Sequence, residues 1–170
     1  MKTTLKTMMV LMLLILSIIL TACNKQTACN KQNSNINEFI QDSEIKRIVS
    51  ESLLKFAAPS KDSIKAVFES HEIVGKEVKK DILSVYVIGY VMGVYNDNQS
   101  FGGEFHSRIQ IQKVETGYKV VGYKESLSSM DVYDFMPKKY AKAIINYDTS
   151  NLYQTVKRQT EDWLKNNKAS

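Results

Sequence analysis

The run from Ile82 to Tyr95 constrains the fold of this chain more than any other segment. β-Branched and aromatic residues fill the run, and these residue types favour a pleated strand. Apolar residues occupy both its odd and its even positions, which is typical of a strand that is covered on both faces. The run therefore predicts a central strand. Gly89 and Gly93 interrupt it, and because glycine inside a strand often marks a bulge or a bend, they predict a curved sheet.

Three further segments show shorter strand patterns bounded by polar or glycine-containing turns. The strand patterns lie at residues 71–78, 104–112 and 118–124, and the turns lie at 79–81, 96–103 and 115–117. Consecutive strands joined by short turns pair as antiparallel hairpins. The middle of the chain is therefore predicted to form a four-stranded antiparallel sheet.

Residues 104–112 alternate between apolar and polar side chains. Phe105, Ile109 and Ile111 share one face. Clean alternation is typical of a strand with one buried and one hydrated side, so the opposite face is predicted to be exposed to solvent. That polar face consists of Glu104, His106, Arg108, Gln110 and Gln112.

Helical patterns stand before and after the sheet. A first helix is expected to begin at Asp42 or Ser43, which are good N-caps, and to stop before Pro59. Residues 62–67 are expected to form either a short helix or the start of a strand. A turn-rich segment at 130–136 leads to Pro137, where proline favours the start of a helix. A last helix is expected to begin near Ser150, with Leu152, Val156 and Trp163 turned inward. The prediction is an α+β fold with an N-terminal helix, a curved four-stranded antiparallel sheet and C-terminal helices packed on one face.

The motifs of common catalytic sites are incomplete in this sequence. His71 and Glu72 resemble the start of a zinc-protease helix motif, but the second histidine is missing. Ser43 and Lys46 have the Ser-x-x-Lys spacing of penicillin-recognising enzymes without the partner motifs, and Ser43 is better interpreted as an N-cap. We therefore predict a protein that is not an enzyme and that has no metal or cofactor.

Two sets of side chains are candidates for binding. Tyr86 and Tyr90 share one face of the central strand, where aromatic rings either line a ligand pocket or form plain core. The second set comprises polar and basic residues that a partner could contact, namely His106 and Arg108 on the polar strand face and Lys138 and Lys139 at the start of the predicted helix.

Residues 1–22 have the three parts of a secretory signal. Lys2 and Lys6 supply positive charge, and an apolar run follows at 8–20. This run of 13 residues is shorter than the roughly 20 that a membrane-spanning helix needs. Small residues, Thr21 and Ala22, close the segment.

The string Leu20-Thr21-Ala22-Cys23 resembles the cleavage signal of bacterial lipoproteins. The resemblance implies that Cys23 is lipidated, becomes the first residue of the mature protein and anchors it on the extracytoplasmic face of the cell membrane. The alternative is an ordinary signal peptide in which Cys23 is incidental. The polar segment 23–36 is then predicted to be a tether, and residues 37–170 a single domain.

Charge and cysteine content narrow the class of protein further. Loss of Lys2 and Lys6 with the signal leaves 21 basic and 18 acidic residues, a net charge near +3, which is too small to indicate a nucleic-acid partner. Beside Cys23 the chain has a single further cysteine, Cys29, so a disulfide framework is excluded. The predicted domain must rely on its apolar core.

Three segments together resemble a known family. They are Val85-Tyr86-Val87, the stretch from Gly117 to Lys124, and the stretch from Phe135 to Ala141 that reads Phe-Met-Pro-Lys-Lys-Tyr-Ala. They resemble an uncharacterised extracytoplasmic domain that occurs alone in lipoproteins of Gram-positive bacteria and appended to membrane metallopeptidases of the beta-lactam-sensor type. The resemblance implies an accessory or sensing module with a membrane or envelope protein as partner. The alternative is a small-ligand carrier of the nuclear-transport-factor-like kind, with Tyr86 and Tyr90 in its pocket.

Overall fold

The computed structural model describes residues 39–56 and 63–167. The predicted signal, Cys23 and the predicted tether lie outside the described residues. Within the described ranges, none of the helices has both the length and the apolar character needed to cross a bilayer.

The described chain forms an α+β domain, as the sequence predicts. Its helices are α1 (Asp42–Phe56), α2 (Lys138–Ile145) and α3 (Ser150–Asn167), its strands are β1 (Ile64–Lys79), β2 (Ile82–Tyr95), β3 (Ser100–Val114) and β4 (Gly117–Ser126), and a 3₁₀ turn spans Asp131–Asp134. Residues 64–67, left open between helix and strand, belong to β1.

The four strands form one curved antiparallel sheet in the order β1-β2-β3-β4. β2 and β3 pair from Ile82 to Val94 without a shift of register, so Gly89 and Gly93 do not mark a bulge. The irregularities lie in the outer strands instead. One follows Ile64 and another follows Ile73 in β1, and a third places Val121 of β4 outside the pairing with β3. Bulges bend a strand and increase its twist, which is consistent with the curvature.

Helix α1 packs on one face of the sheet, which we call the α1 face. Asp42 forms an ion pair with Lys76, and Phe56 stacks on Tyr123 with ring centroids 4.5 Å apart. Directly opposite residues of paired strands point to the same side. Lys76 and Tyr123 belong to one row across the sheet that also contains Val85 and Ile109, both fully buried.

The C-terminal segment packs on the opposite face, which we call the C-terminal face. Tyr140 of α2 stacks on Tyr86 of β2, and Tyr153 of α3 meets the edge of Tyr90. A core cluster joins the two layers and comprises Tyr86, Ile88, Val132, Phe135, Met136, Ala141, Ile144 and Leu152. The C-terminal helices therefore occupy one face, as predicted, and β2 is covered on both faces, as its sequence requires.

Gly89 makes room for an aromatic ring of the neighbouring strand. A Cβ atom at Gly89 would overlap the ring of Phe105, which pairs with it from β3 and is 1% exposed. Glycine within a strand is suited to such close approach. The role of Gly89 is therefore to leave space for the ring of Phe105 on the α1 face.

Candidate binding surfaces

The polar face of β3 is only partly exposed to solvent, so the prediction of a hydrated face is wrong at its centre. His106 is only 2% exposed, and Arg108 is half-buried. The alternation of residues 104–112 indicates correctly that one side is polar, but it carries no information about what packs there. The C-terminal segment covers this side.

The residues of this covered face hold the C-terminal segment on the sheet. Nε2 of His106 lies 2.9 Å from Oε1 of Glu104, and Thr149 donates a hydrogen bond of 2.8 Å to Oε2 of the same carboxylate. Arg108 donates from Nη1 to the carbonyl oxygen of Phe135 at 3.0 Å. These hydrogen bonds connect β3 to Phe135, which precedes α2, and to Thr149, which follows it. We assign His106 and Arg108 a structural role on this geometry.

Tyr86 and Tyr90 both pack against helices. Tyr86 is 4% exposed, stacks on Tyr140 with centroids 4.5 Å apart and donates a hydrogen bond of 3.2 Å to Glu77. Burial, together with the charge of Glu77 and this hydrogen bond, raises the pKa of Tyr86 to about 12. Tyr90 meets Tyr153 at a centroid distance of 5.2 Å. In these positions the two rings form part of the layer between sheet and helices.

The two lysines of α2 differ in their surroundings. Lys139 forms an ion pair with Glu77 at 2.8 Å and lies 4.4 Å above the ring of Tyr140. The hydrogen bond to Glu77 raises the pKa of Lys139. Lys138 is exposed at the start of the helix. Lys139 therefore contributes to the docking of α2 on β1, whereas Lys138 remains exposed for a partner.

An apolar surface that the sequence analysis missed lies beyond the end of β4. Leu127 is 78% exposed and Met130 is 82% exposed, and Tyr133 on the 3₁₀ turn is 47% exposed. Val132 and Phe135 of the same segment turn inward and are buried, which leaves the other apolar side chains on the outside. The available signal was the presence of isolated apolar residues in an otherwise polar turn.

Hydrogen bonds fix the backbone that carries these side chains. Ser126 donates from Oγ to the carbonyl oxygen of Ser128 at 3.0 Å and accepts from the Ser128 amide at 2.9 Å. The amide of Met130 donates to the Ser128 hydroxyl at 3.3 Å, and the amide of Asp131 donates to the Ser128 carbonyl at 3.3 Å. The exposure of Leu127 and Met130 is thus a property of an ordered turn.

A hollow of about 210 Å³ adjoins Leu127. Val91, Phe101 and Phe105 supply its apolar lining, together with the backbone of Gly102 and Gly103 and with Glu125. We call this hollow, with Leu127, Met130 and Tyr133, the docking surface. Its acidic neighbours in the chain are Glu125, Asp131 and Asp134, whereas the basic neighbour Lys124 points to the opposite face of β4 and lies over the ring of Phe135.

A second depression lies at the outer edge of β1 and is polar. It has a volume of about 360 Å³ and is lined by residues 69–73 of β1, by Lys46 of α1 and by Thr155 and Gln159 of α3. We call it the edge cleft. Within it, Nδ1 of His71 lies 2.8 Å from Oε2 of Glu69.

Comparison with known proteins adds no family or function. No protein-family model, curated protein or solved structure matches this chain. Among the described residues there is also no group of three or more histidine, cysteine or acidic side chains placed to hold a metal ion.

Proposed function

We propose that this chain is a lipid-anchored extracytoplasmic binding module without enzymatic activity. Cys23 anchors it to the cell membrane, and the docking surface binds a membrane or envelope protein. The string Leu20-Thr21-Ala22-Cys23 supports the anchor. The location next to a membrane brings the domain within reach of membrane-protein partners.

The observation that carries the binding proposal is the exposure of Leu127, which lines an apolar hollow, and of Met130 in the same turn. Their side chains are 78% and 82% exposed, although hydrogen bonds hold the turn that carries them. Several exposed apolar side chains in one short segment mark an interaction site more often than a solitary apolar residue does. Methionine and aromatic residues are also enriched at protein interfaces.

The charges of the docking surface favour a basic partner segment. Glu125 lines the hollow, and Asp131 and Asp134 flank Tyr133. An apolar side chain inserted into the hollow, with lysine or arginine beside it, would match both the apolar lining and this charge. The same acidic residues disfavour the phosphate backbone of a nucleic acid.

The alternative of a small-ligand pocket at Tyr86 and Tyr90 has less support. Tyr86 is 4% exposed, and both rings are in contact with tyrosines of the C-terminal helices. A ligand in this position would have to displace Tyr140 and Tyr153. We therefore keep the docking surface as the site of the proposed function.

Site-directed photo-crosslinking tests this proposal. A photoreactive residue replaces Met130 in the full chain, which is then irradiated in its own membranes. We expect one discrete adduct, identified by mass spectrometry as an extracytoplasmic or membrane protein with a basic segment at the crosslinked position. Leu127→Ser should remove most of the adduct, because it replaces a 78% exposed apolar side chain of the docking surface with a small polar one.

Ile145→Ser is the matched control, since Ile145 is a 43% exposed apolar residue on α2, outside the docking surface. The adduct should persist in this variant. Absence of any discrete adduct at Met130, or equal loss with Leu127→Ser and Ile145→Ser, would contradict the proposal.

A further inference from the structure

The outer edge of β1 is an open strand edge framed by two helices. β1 pairs only with β2, and in the four-stranded sheet no described strand lies on its other side. Residues 69–73 nevertheless line the edge cleft, with Lys46 of α1 on one side and Thr155 and Gln159 of α3 on the other. The cleft therefore has a strand edge along its floor and one helix on each wall.

The strand that forms this floor is regular over a defined length. The pairing of β1 with β2 shifts after Ile64 and again after Ile73, and it is continuous from Ala66 to Ile73. Eight residues of an extended strand span about 26 Å at roughly 3.3 Å per residue. Within such a stretch every second residue directs its backbone amide and carbonyl outward, where an incoming chain can bond to them.

Several polar side chains of the edge cleft make no hydrogen bond or ion pair with another described residue. They are Lys46, Ser70, Glu72 and Gln159. Thr155 donates to the carbonyl oxygen of Asn151 but keeps its acceptor capacity. The cleft thus offers both donors and acceptors to a ligand.

The ring of His71 is held in place by its own strand. Nδ1 lies 2.8 Å from Glu69, and both side chains are nearly buried, with 13% and 11% exposure. Burial raises the pKa of Glu69, but the hydrogen bonds from His71 and Ser50 outweigh it and bring the pKa below its usual value. With Nδ1 engaged, Nε2 is the ring nitrogen left for a ligand.

The charged groups of the cleft that form no ion pair with a described residue are Lys46 on the α1 face, which also carries the paired Glu69 and His71, and Glu72 on the C-terminal face. Lys46 belongs to α1 and lies on the α1 face. Glu72 pairs with Ile88 and therefore points to the C-terminal face, where α3 supplies Gln159. Because side chains alternate between the two faces along a strand, adjacent residues of an added strand would meet Lys46 and Glu72 in turn.

We infer that the edge cleft binds an extended polypeptide segment as a fifth strand beside β1, with an acidic residue toward Lys46 and a neighbouring basic residue toward Glu72. Backbone hydrogen bonds along the edge give the affinity of such a complex, and the alternating side chains give its specificity. This site is separate from the docking surface, which lies beyond the end of β4.

Two synthetic peptides test the inference on the full chain extracted in detergent micelles. The probe is acetyl-TVTEKTVT-amide, in which the charges are adjacent and point to opposite faces. The control is acetyl-TVETKTVT-amide, in which the charges lie two residues apart and point to one face. We expect the probe to bind at least threefold more tightly in fluorescence anisotropy, because one exposed ion pair changes affinity by up to about fivefold.

Amide hydrogen exchange locates the bound peptide. We expect protection to increase within 66–73 and to stay unchanged in β4 at 117–126. Failure of the probe to bind, equal binding of probe and control, or protection confined to β4 would each overturn the inference.

Charge variants provide the second readout. Lys46→Glu should weaken binding of the probe about threefold. The double variant Lys46→Glu with Glu72→Lys should restore it, because a shift of one residue exchanges the faces of the peptide. Leu127→Ser should leave the affinity unchanged, so that failure of this inference and failure of the docking surface are distinguishable.

Discussion

At the scale of single residues, aromatic rings of this domain occupy the space that glycines leave open. A side chain at Gly89 would overlap the ring of Phe105, and one at Gly75 would overlap the ring of Tyr140. Tyr140 also donates a hydrogen bond of 3.1 Å to the carbonyl oxygen of Lys76. Each of these glycines therefore positions a ring on a different face of the sheet.

The substitution Gly89→Val tests this pairing. The ring of Phe105 is 1% exposed and occupies the position that an added side chain would take, so we expect valine to overpack the α1 face and to lower the free energy of unfolding by about 1–3 kcal/mol. Valine has a higher strand propensity than glycine, so propensity alone predicts a higher free energy of unfolding for the variant. Chemical denaturation of the variant measures which effect prevails.

Gly103→Ala is the matched control for Gly89→Val. Gly103 lies on β3, and an added Cβ there would meet no heavy atom within 4 Å. We expect the free energy of unfolding of Gly103→Ala to stay within about 0.5 kcal/mol of the unsubstituted protein. An unchanged or higher stability of Gly89→Val would show that Phe105 does not depend on this glycine.

Individual burial was the least predictable property from the sequence. His106 carries a polar ring in an alternating strand, and alternation alone predicted that it is hydrated. The ring is buried because Phe135, Thr149 and their neighbours cover that face. These residues are distant in sequence, and nothing local to β3 indicates their position.

At the scale of elements, the sequence predicted most of the fold. The strands are consecutive hairpins, so their order follows from local turns, and Ile82 to Tyr95 matches β2. The boundaries of β1 and β3 were less accurate, because β1 begins at Ile64 and β3 at Ser100. In both regions polar and apolar residues mix, and pairing with β2 extends the strands beyond their own patterns.

The exposure of Leu127 and Met130 was not predictable at this scale. An apolar residue in a turn can fold inward, as Val132 does, or remain outside. The hydrogen bonds of Ser126 and Ser128 and the burial of Val132 and Phe135 decide between these outcomes. The burial of Val132 and Phe135 depends on the assembled C-terminal face.

Tyr140 is the residue of α2 whose ring packs on the sheet, and Tyr140→Ala tests how much this contact contributes to the docking of α2. The change removes the stack on Tyr86, the contact with Gly75 and the hydrogen bond to Lys76. We expect the free energy of unfolding to fall by about 2–3 kcal/mol. This is at or below the low end for the truncation of a buried aromatic side chain, because the ring of Tyr140 is only half-buried. Hydrogen exchange should show the largest loss of protection in α2.

Two comparison variants define the contribution of the ring. Tyr140→Phe keeps the stack and should lose about 1 kcal/mol, the value of one hydrogen bond. Tyr133→Ala removes an exposed tyrosine and should change stability little. Equal effects of Tyr140→Ala and Tyr133→Ala would contradict the role assigned to Tyr140.

At the scale of the whole molecule, the described domain carries two separate candidate binding surfaces. The docking surface lies beyond the end of β4, and the edge cleft lies along β1 at the other edge of the sheet. A partner on one surface leaves the other open. Simultaneous use of both surfaces by one partner would raise the overall affinity through effective concentration.

The central claim is that Cys23 anchors this binding module to the cell membrane. Mass spectrometry of the N-terminal peptide of the membrane-bound protein tests it most directly. We predict a peptide that begins at Cys23 and carries the lipid. The hexapeptide Thr-Ala-Cys-Asn-Lys-Gln occurs at 21–26 and again at 27–32, and we predict that Cys23→Ala abolishes the processing while Cys29→Ala, in the second copy, leaves it intact. An unmodified peptide, or cleavage before residue 23 in the Cys23→Ala variant, would contradict the account.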